Sequence, residues 1–155
     1  MATLKQISDG LITKLAAVSG LSSGVVIAYP GSIAEVLASR ALTPPFALVR
    51  LTGADYDNPG VVDNSINDER ISAEIVLATM DLRGQGYSAE AGYTLLDAVL
   101  TAIQGAVLTY LVGATPTTLP GLEPVALGSW NQAEDDAGTG IVAYVIRVST
   151  GQVRQ

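Results

Sequence analysis

Hydrophobic positions three and four residues apart predict a long helix in the second half of the stretch Met80–Val107. They are Tyr93, Leu96, Leu100, Ile103 and Val107, and Leu95 and Val99 widen the same stripe. Ser88 is a candidate N-cap, and Glu90 places a negative charge in the first turn, where exposed backbone N–H groups favour it. A stripe of this width is typical of a helix packed against a sheet.

A second helix is predicted from Thr3 to Val18, because hydrophobic residues again share one face. They are Leu4, Ile7, Leu11, Leu15 and Val18. Thr3 and Gln6 have the spacing of a capping box. Gly10 weakens the middle of this helix by about 1 kcal/mol relative to alanine. Ser32 and Glu35 have the same capping spacing and predict a short helix that ends near Ser39.

Hydrophobic runs, some of them alternating with polar residues, predict five strands. They are Val25–Tyr29, Phe46–Thr52, Arg70–Asp81, Leu122–Trp130 and Ile141–Val148. Hydrophobic residues on both sides of Phe46–Thr52 are typical of a strand covered on both faces. Pro124 places the fourth strand at a sheet edge or moves its start to Val125. Leu108–Val112 either continues the long helix or forms a brief strand, and the polar residues Ser149–Gln155 are expected to fray.

The connections are rich in glycine, proline and acidic residues. Gly53–Arg70 is a long connection with little periodicity, and connections of this length in a domain tend to be functional or disordered. It predicts a hairpin whose loop projects from the body. Gly113–Gly121 is predicted to be a loop, and Asn131–Gly140 an acidic turn. Together the elements predict one α+β domain over residues 1–155, with a mostly antiparallel sheet of four to five strands and helices packed on one face.

Charge excludes one class of function and favours another. Only 15% of the residues are charged, against a usual share of about 25%, while 48% are hydrophobic. A chain this apolar is expected to bury part of its surface against other subunits. Its formal net charge of −7 excludes binding to nucleic acid by neutralisation of phosphates.

The chain contains neither cysteine nor histidine. Without them it has no disulfide framework and no nucleophile–base pair of the Ser-His-Asp or Cys-His kind. Carboxylates alone suffice for some hydrolases, so a small carboxylate-dependent hydrolase stays open as an alternative. No apolar run reaches about 18 residues, so we expect no membrane span. No basic start precedes a hydrophobic segment, and we expect the chain to be made in the cytoplasm.

A glycine-rich turn lies between the third strand and the long helix. Gly84–Ala89 fits the G-x-G-x-x-A pattern that brings a pyrophosphate close to a helix N-terminus. No acidic residue follows about twenty positions later to hold a ribose. The pattern therefore favours a tight strand-to-helix turn over a nucleotide-binding domain, and we expect no cofactor.

Two acidic segments have some features of metal sites. Asp55–Gly60 resembles the start of a calcium loop, but Pro59 and Ile66 occupy positions where ligands are required. Glu134, Asp135 and Asp136 are adjacent carboxylates of the kind that keep a turn in water. A solvated acidic surface is the favoured interpretation of both, and no metal site is predicted.

Four residues are candidates for a subunit or tube interface. The long connection can reach a neighbour, which makes Tyr56 and Asp57 candidates. Arg70 and Arg83 lie at opposite ends of one strand in acidic surroundings, where they pair either locally or with another subunit. Trp130, the only tryptophan, is expected in the core, with an interface anchor as the alternative.

Several segments carry a resemblance to a known family. They are the helix LKQISDGLITKL, the strand PPFALVRLTG, the loop ending in NDER, the segment ISAEIVLATMDLRGQGYSAEAGYTLLDAVLTAIQG and the strand IVAYVIRVST. In their order they resemble the small tail terminator proteins of tailed bacteriophages, in the Mu-like branch. The most specific part is Gly86–Gly105, where a glycine, a Tyr-x-Leu-Leu segment and a final small-residue break coincide. No catalytic signature is among them.

The resemblance implies a mixed fold that assembles as a ring, expected to be hexameric, in a virion tail. Such a ring caps the tail tube, ends tail polymerisation and offers a surface to a head-completion or connector protein. DNA would pass through it without specific binding, and an acidic wall would let the duplex slide. A tail tube subunit or another head–tail joining protein is the nearest alternative. The resemblance carries over no site residue and implies no enzyme activity.

Overall fold

The computed structural model describes residues 1–21, 25–29, 31, 35, 42–57, 67–80, 90–133 and 141–154. Within them the chain forms two helices, a five-stranded sheet and a separate two-stranded sheet. The elements are α1 (Leu4–Ala16), β1 (Val26–Ala28), β2 (Phe46–Asp57), β3 (Asn67–Met80), α2 (Glu90–Ile103), β4 (Thr109–Val112), β5 (Thr115–Thr118), β6 (Ala126–Gln132) and β7 (Ile141–Arg154).

The larger sheet has the strand order β1-β2-β3-β7-β6. Strand β1 runs parallel to β2, and every other pair is antiparallel. The pairing of β3 with β7 is continuous from Asn67 opposite Arg154 to Met80 opposite Ile141. This architecture confirms the predicted α+β fold with a mostly antiparallel sheet. Strand β6 begins at Ala126, after Pro124, and lies at the sheet edge, so both alternatives expected from Pro124 are met.

Both helices pack against one face of this sheet, which we call the inner face. The alternation predicted in β3 is confirmed, since Ile71, Ile75 and Leu77 are buried under the helices. Buried side chains of α1, α2 and the inner face form one continuous core: Ile7, Leu11, Leu15, Leu96, Val99, Ile103, Ala47, Val49, Ile71, Ala73, Ile75, Leu77, Val142, Tyr144, Ile146 and Val148 are among its members. Burial of this apolar surface is the main favourable term in folding.

The opposite face, which we call the outer face, is apolar at only one end. Phe46, Leu48, Val76, Ala78, Ile141 and Ala143 form a second buried cluster there. Tyr29 and Leu42 pack against this cluster. The first four residues of β2 are therefore buried on both faces, as the sequence predicts, and its polar residues begin at Arg50.

The helix α1 begins with the predicted capping box. Thr3 Oγ1 accepts a hydrogen bond from the backbone N–H of Gln6, and Gln6 Oε1 accepts one from the backbone N–H of Thr3. Gly10 is buried where α1 meets the segment before β4, and a β-carbon there would lie 3.1 Å from Leu108 Cβ and 3.2 Å from the carbonyl oxygen of Thr109. The glycine allows this close approach.

The helix α2 is shorter than predicted, and the ends of its predicted stripe are wrong. Leu96, Val99 and Ile103 form the buried face. Val107 is exposed because α2 ends at Ile103 and Val107 lies beyond it. Tyr93 lies within α2 but is also about half exposed. The candidate N-cap Ser88 lies outside the described residues.

Three segments predicted as loop or frayed end are strands. Residues 53–57 and 67–69 extend the hairpin of β2 and β3, with a bulge at Thr52. Residues 149–154 continue β7 and pair with β3, so the expectation of fraying is wrong. Residues 115–118 pair with β4, where a loop was predicted. In each case cross-strand pairing satisfies the backbone of residues whose composition favours turns.

Some predictions fall outside the described residues. Of the short helix predicted from Ser32 to Ser39, only Glu35 is described, and it is helical. Residues 58–66 of the long connection and 134–140 of the acidic turn lie outside as well. Of the predicted acidic turn, Asn131 and Gln132 belong to β6.

Candidate interface surfaces

Three of the four candidate interface residues line one groove at the far end of the β2–β3 hairpin. The groove has a volume of about 450 Å³. We call it the hairpin groove; its lining residues are Asp55, Tyr56, Asp57, Asp68, Glu69, Arg70, Gly121, Glu123, Gly151, Gln152 and Val153. Tyr56, Asp57 and Arg70 are among them, whereas Arg83 lies outside the described residues. Five of the lining side chains are carboxylates and one is a guanidinium, so the groove is acidic.

Arg70 pairs within its own chain. It lies between Asp55 of β2 and Gly151 of β7 in the sheet register. Its Nη2 atom lies 3.3 Å from Oε2 of Glu123, and both side chains are exposed. Pairs of this kind contribute little to stability, with a median of about 0–1 kcal/mol. This local pair is one of the two alternatives expected for Arg70; pairing with another subunit stays a prediction.

A buried carboxylate lies beneath the hairpin groove. Glu69 has 1% of its side chain exposed and bonds to three partners. Arg154 Nε donates to its Oε2 atom at 2.9 Å, and Gln152 Nε2 donates to the same atom at 2.8 Å. Tyr56 donates from its hydroxyl to Oε1 at 2.9 Å. Both oxygens of the buried carboxylate are therefore satisfied, as burial of a charge requires.

The same network holds the N-terminal segment. Gln152 Oε1 accepts a hydrogen bond from the backbone N–H of Ala2 at 2.9 Å, and its Nε2 donates to the Ala2 carbonyl at 3.1 Å. Ala2 is itself buried. Gln152, which belongs to the last strand, thus connects Ala2 near the start of the chain with Glu69 of β3.

These contacts shift three pKa values in a consistent way. Burial alone would raise the pKa of Glu69, but the hydrogen bonds from Arg154, Gln152 and Tyr56 outweigh it and lower that pKa below its usual value. The hydrogen bond to Glu69 raises the pKa of Tyr56 and that of Arg154. Glu69 is therefore held in its charged form, which makes it a structural anchor and a poor candidate for proton transfer.

The sequence analysis missed Glu69, although a signal for it exists. Glu69 is in phase with Ile71, Ala73 and Ile75, so the alternation places its carboxylate on the buried face. An acidic residue in a core position needs a partner. Its partners on β7 lie in the segment that was expected to fray.

A second polar row crosses the middle of the outer face. Arg50 of β2, Glu74 of β3 and Arg147 of β7 are direct neighbours in the register. Arg50 Nε donates to Glu74 Oε2 at 2.9 Å, and Arg147 Nε lies 3.5 Å from Glu74 Oε1. One carboxylate thus serves two guanidiniums, and the row carries a positive charge between the apolar end of the outer face and its acidic end.

Trp130 is not in the core. It lies on the edge strand β6 with 47% of its surface exposed, and its ring meets that of Tyr144 edge-on at 6.1 Å between centroids. Tyr93 of α2 also contacts Tyr144, with 6.3 Å between the two ring centroids. The expectation of a core residue is wrong: β6 is the last strand of the sheet in the described part of the chain, and the indole there stays half exposed.

The described residues do not present a candidate metal site. Asp55, Tyr56 and Asp57 lie on β2 and not in a loop, so the calcium-loop pattern has no loop geometry where it is described. Among the described residues, no three acidic side chains are placed to hold a metal ion. The G-x-G-x-x-A turn and Glu134–Asp136 lie outside them. No described helix is long and apolar enough to cross a membrane.

Comparisons with known proteins found similarity in fold alone. No protein-family model matches the chain, and no curated protein matches it. Among solved structures, a chain from the virion of a native gene transfer agent (GTA) particle is similar, with a TM-score of 0.53 at 15% sequence identity. The likeness covers 96% of this chain and 95% of that one. A second solved chain, without a functional description, matches at 14% identity over 98% of this chain and 96% of its own, but its TM-score of 0.41 is too low to support an argument.

Proposed function

We propose that this chain is a structural subunit of a phage-like particle and acts as its tail terminator. In this role several copies close into a ring, expected to be hexameric, on the end of the tail tube. The ring stops tail polymerisation and presents a surface to a head-completion or connector protein.

The observation that carries the proposal is the end-to-end likeness in fold to a chain of a gene transfer agent virion. Nearly the whole of each chain takes part, so the likeness is not limited to a common two-strand or helix–strand motif. The order of segments that resembles tail terminators in the sequence supports the same role independently. The finer assignment, tail terminator and not another virion subunit, depends on that resemblance.

Surface composition supports assembly. Several large hydrophobic side chains are exposed, among them Leu111, Val112 and Trp130. A monomer in water gains nothing from exposing them, whereas a subunit can bury them against its neighbours. The role requires shape and surface rather than catalysis, and we accordingly propose that the chain is not an enzyme.

The acidic hairpin groove suits a wall past which DNA must slide. Asp55, Asp57 and Asp68 carry negative charge on the outer face near Arg70. Such a surface repels phosphates and so does not retain the duplex. We expect it to face the channel of the ring; a reconstruction of the ring with a net basic channel wall would contradict this part of the proposal.

Light scattering and electron microscopy of the purified protein test the main claim. A terminator should form closed rings whose mass is a small multiple of 15.9 kDa, and should bind at one end of isolated tail tubes. Added to polymerising tube subunits, it should shorten the tubes. Long self-assembled tubes would instead identify a tube subunit.

A monomer at all concentrations that leaves tube length unchanged would contradict any assembly role. A thermal-shift screen with nucleotides and divalent metals tests the alternative of a hydrolase or a nucleotide-binding domain. A ligand that binds only the folded state raises the melting temperature of the protein. We expect no shift in that screen.

A further inference from the structure

The β4–β5 hairpin stands apart from the main sheet and is firmly held at its base. Leu108 and Leu119, which flank the hairpin, are buried in the core, and the N–H of Leu119 donates to the carbonyl of Leu108 at 3.2 Å. The turn is formed by Gly113 and Ala114 between paired Val112 and Thr115, and Gly113 has φ of 65°. A glycine with positive φ at this position is what two-residue hairpin turns require.

The tip of this hairpin is apolar and exposed. Leu111 is 60% exposed and Val112 is 55% exposed. They point to opposite sides of the hairpin, because successive side chains of a strand alternate. Residues 98–122 contain no charged side chain, so no charge on this segment opposes burial of the tip. We call Leu111, Val112 and the turn residues Gly113 and Ala114 the hairpin tip.

A groove of matching character lies elsewhere on the same chain. It runs between the C-terminal end of α1 and the middle of α2 and has a volume of about 590 Å³. We call it the helix groove; its lining residues are Lys14, Ala17, Val18, Ser19, Asp97, Ala98, Thr101 and Ala102. Short side chains leave its floor open, and its two charges, Lys14 and Asp97, are of opposite sign on opposite helices.

We infer that the hairpin tip of one copy of this chain docks in the helix groove of a second copy. This inference rests on the proposed function, because it names the contact by which the subunits would assemble. It goes further by assigning both halves of that contact to described residues.

The charge distribution favours contact between two copies at these surfaces over contact at their acidic surfaces. Each copy carries a net charge of −7, so most ways of bringing two copies together meet repulsion. The hairpin tip is uncharged, and the charges of Lys14 and Asp97 cancel. Contact between these two surfaces therefore buries apolar area without bringing the acidic groups of two chains together.

The two halves of the contact lie on different elements, and this determines the kind of assembly. A tip that enters a groove on the next copy leaves a free groove on the first and a free tip on the second. Such a contact is heterologous, and it produces a closed ring when the rotation between copies closes. A two-fold symmetric dimer, by contrast, would require the same surface of both copies to face each other.

Two variants separate the halves of the contact. Leu111→Thr combined with Val112→Thr makes the tip polar and keeps β-branched residues suited to a strand. Ala98→Glu combined with Ala102→Lys fills the groove, and the i,i+4 pair supports the helix. Val107→Thr, at an exposed hydrophobic position outside both grooves and the hairpin tip, is the matched control for the tip variant. Circular dichroism and melting curves verify that each variant folds.

The masses of the variants in solution, alone and mixed, test the inference. We expect the wild type and Val107→Thr to form rings, and each double variant alone to be monomeric, with at least tenfold weaker self-association. Mixed in equal amounts, the two double variants should form a heterodimer and nothing larger. The groove variant keeps an intact tip, and the tip variant keeps an intact groove. Two such chains can therefore make one contact with each other and no further contact.

Three outcomes would overturn the inference. Rings formed by the tip variant would show that the subunits meet through another surface, and the proposed function would stand. The absence of a heterodimer in the mixture would exclude this pairing of tip with groove. A folded wild type that stays monomeric but still shortens tail tubes would refute self-docking alone, whereas loss of tube shortening as well would refute the proposed function.

Discussion

Arg154 donates a hydrogen bond from Nε to Oε2 of Glu69 at 2.9 Å, across two neighbouring strands. In the register Glu69 lies opposite Gln152, so Arg154 reaches it diagonally from two residues further along β7. Side chains at this diagonal are within reach of each other when one of them is long. The contact fastens the last residues of the chain to the buried side of the hairpin.

Removal of the Glu69 charge should destabilise the fold. In Glu69→Gln the negative charge is lost and an NH2 group replaces one of the two acceptor oxygens, so three donors face a single acceptor oxygen. We expect the free energy of unfolding to fall by about 1–3 kcal/mol, the cost of leaving buried polar groups unsatisfied. Urea denaturation measures it. An unchanged urea midpoint would show that Glu69 does not anchor the N-terminal segment, the β2–β3 hairpin and the end of β7 to one another.

The stability of the protein should depend on pH through Glu69. Its folded pKa is lowered, so the unfolded state binds more protons than the folded state between the two pKa values. The stabilisation is fully present above the unfolded value of about 4.3 and is lost as the pH falls through the folded value. Urea denaturation from pH 7 down to pH 3 should show the difference between wild type and Glu69→Gln shrinking only below about pH 4.3. A difference that shrinks above pH 6 would contradict this assignment.

Glu74 should contribute more to stability than Glu123, although both form ion pairs. Glu74 is mostly buried and holds Arg50 and Arg147, whereas Glu123 forms an exposed pair with Arg70. We expect Glu74→Gln to lower the free energy of unfolding by about 1–3 kcal/mol and Glu123→Gln by at most about 1 kcal/mol. Thermal denaturation of both variants in the same buffer compares them. Equal effects would mean that the row on the outer face has no special role.

A larger side chain at Gly10 should destabilise the protein despite the low helix propensity of glycine. A β-carbon at this position would lie 3.1 Å from Leu108 Cβ and 3.2 Å from the Thr109 carbonyl oxygen. Gly10→Val should therefore cost about 1–3 kcal/mol, the usual cost of overpacking. Thr13→Val puts the same side chain on the exposed side of α1 and should change stability by no more than about 0.5 kcal/mol. If both variants melt alike, α1 can shift away from β4 without loss.

The sequence analysis identified the elements that are governed by local chemistry or by strong periodicity. The capping box at Thr3, the two-sided burial of β2 and the alternation in β3 are all present in the fold. Pro124 predicts either an edge position for this strand or a start near Val125, and β6 begins at Ala126 and lies at the edge of the sheet. These features depend on neighbouring residues, and their pattern repeats at the period of the element that contains them.

Of the candidate interface, the sequence supplied Tyr56, Asp57 and Arg70, which the fold brings to one groove. It could not supply Glu69, Gln152 and Arg154 as a unit, because their proximity arises from the pairing of β3 with β7. It also could not show that Leu111 and Val112 form an exposed tip. The apolar pattern of that segment suits a helix or a buried strand equally well.

By itself, the sequence determined the α+β class, the capped first helix, the two periods of the core and an acidic surface free of cysteine and histidine. The tertiary structure alone decided that the polar segments at the ends of β2, β3 and β7 form strands. Segments 53–57, 67–69 and 149–154 lack the hydrophobic alternation of strands and become strands because each pairs its backbone with another. Backbone pairing between distant segments leaves no trace in local composition, because every non-proline residue carries the same donor and acceptor.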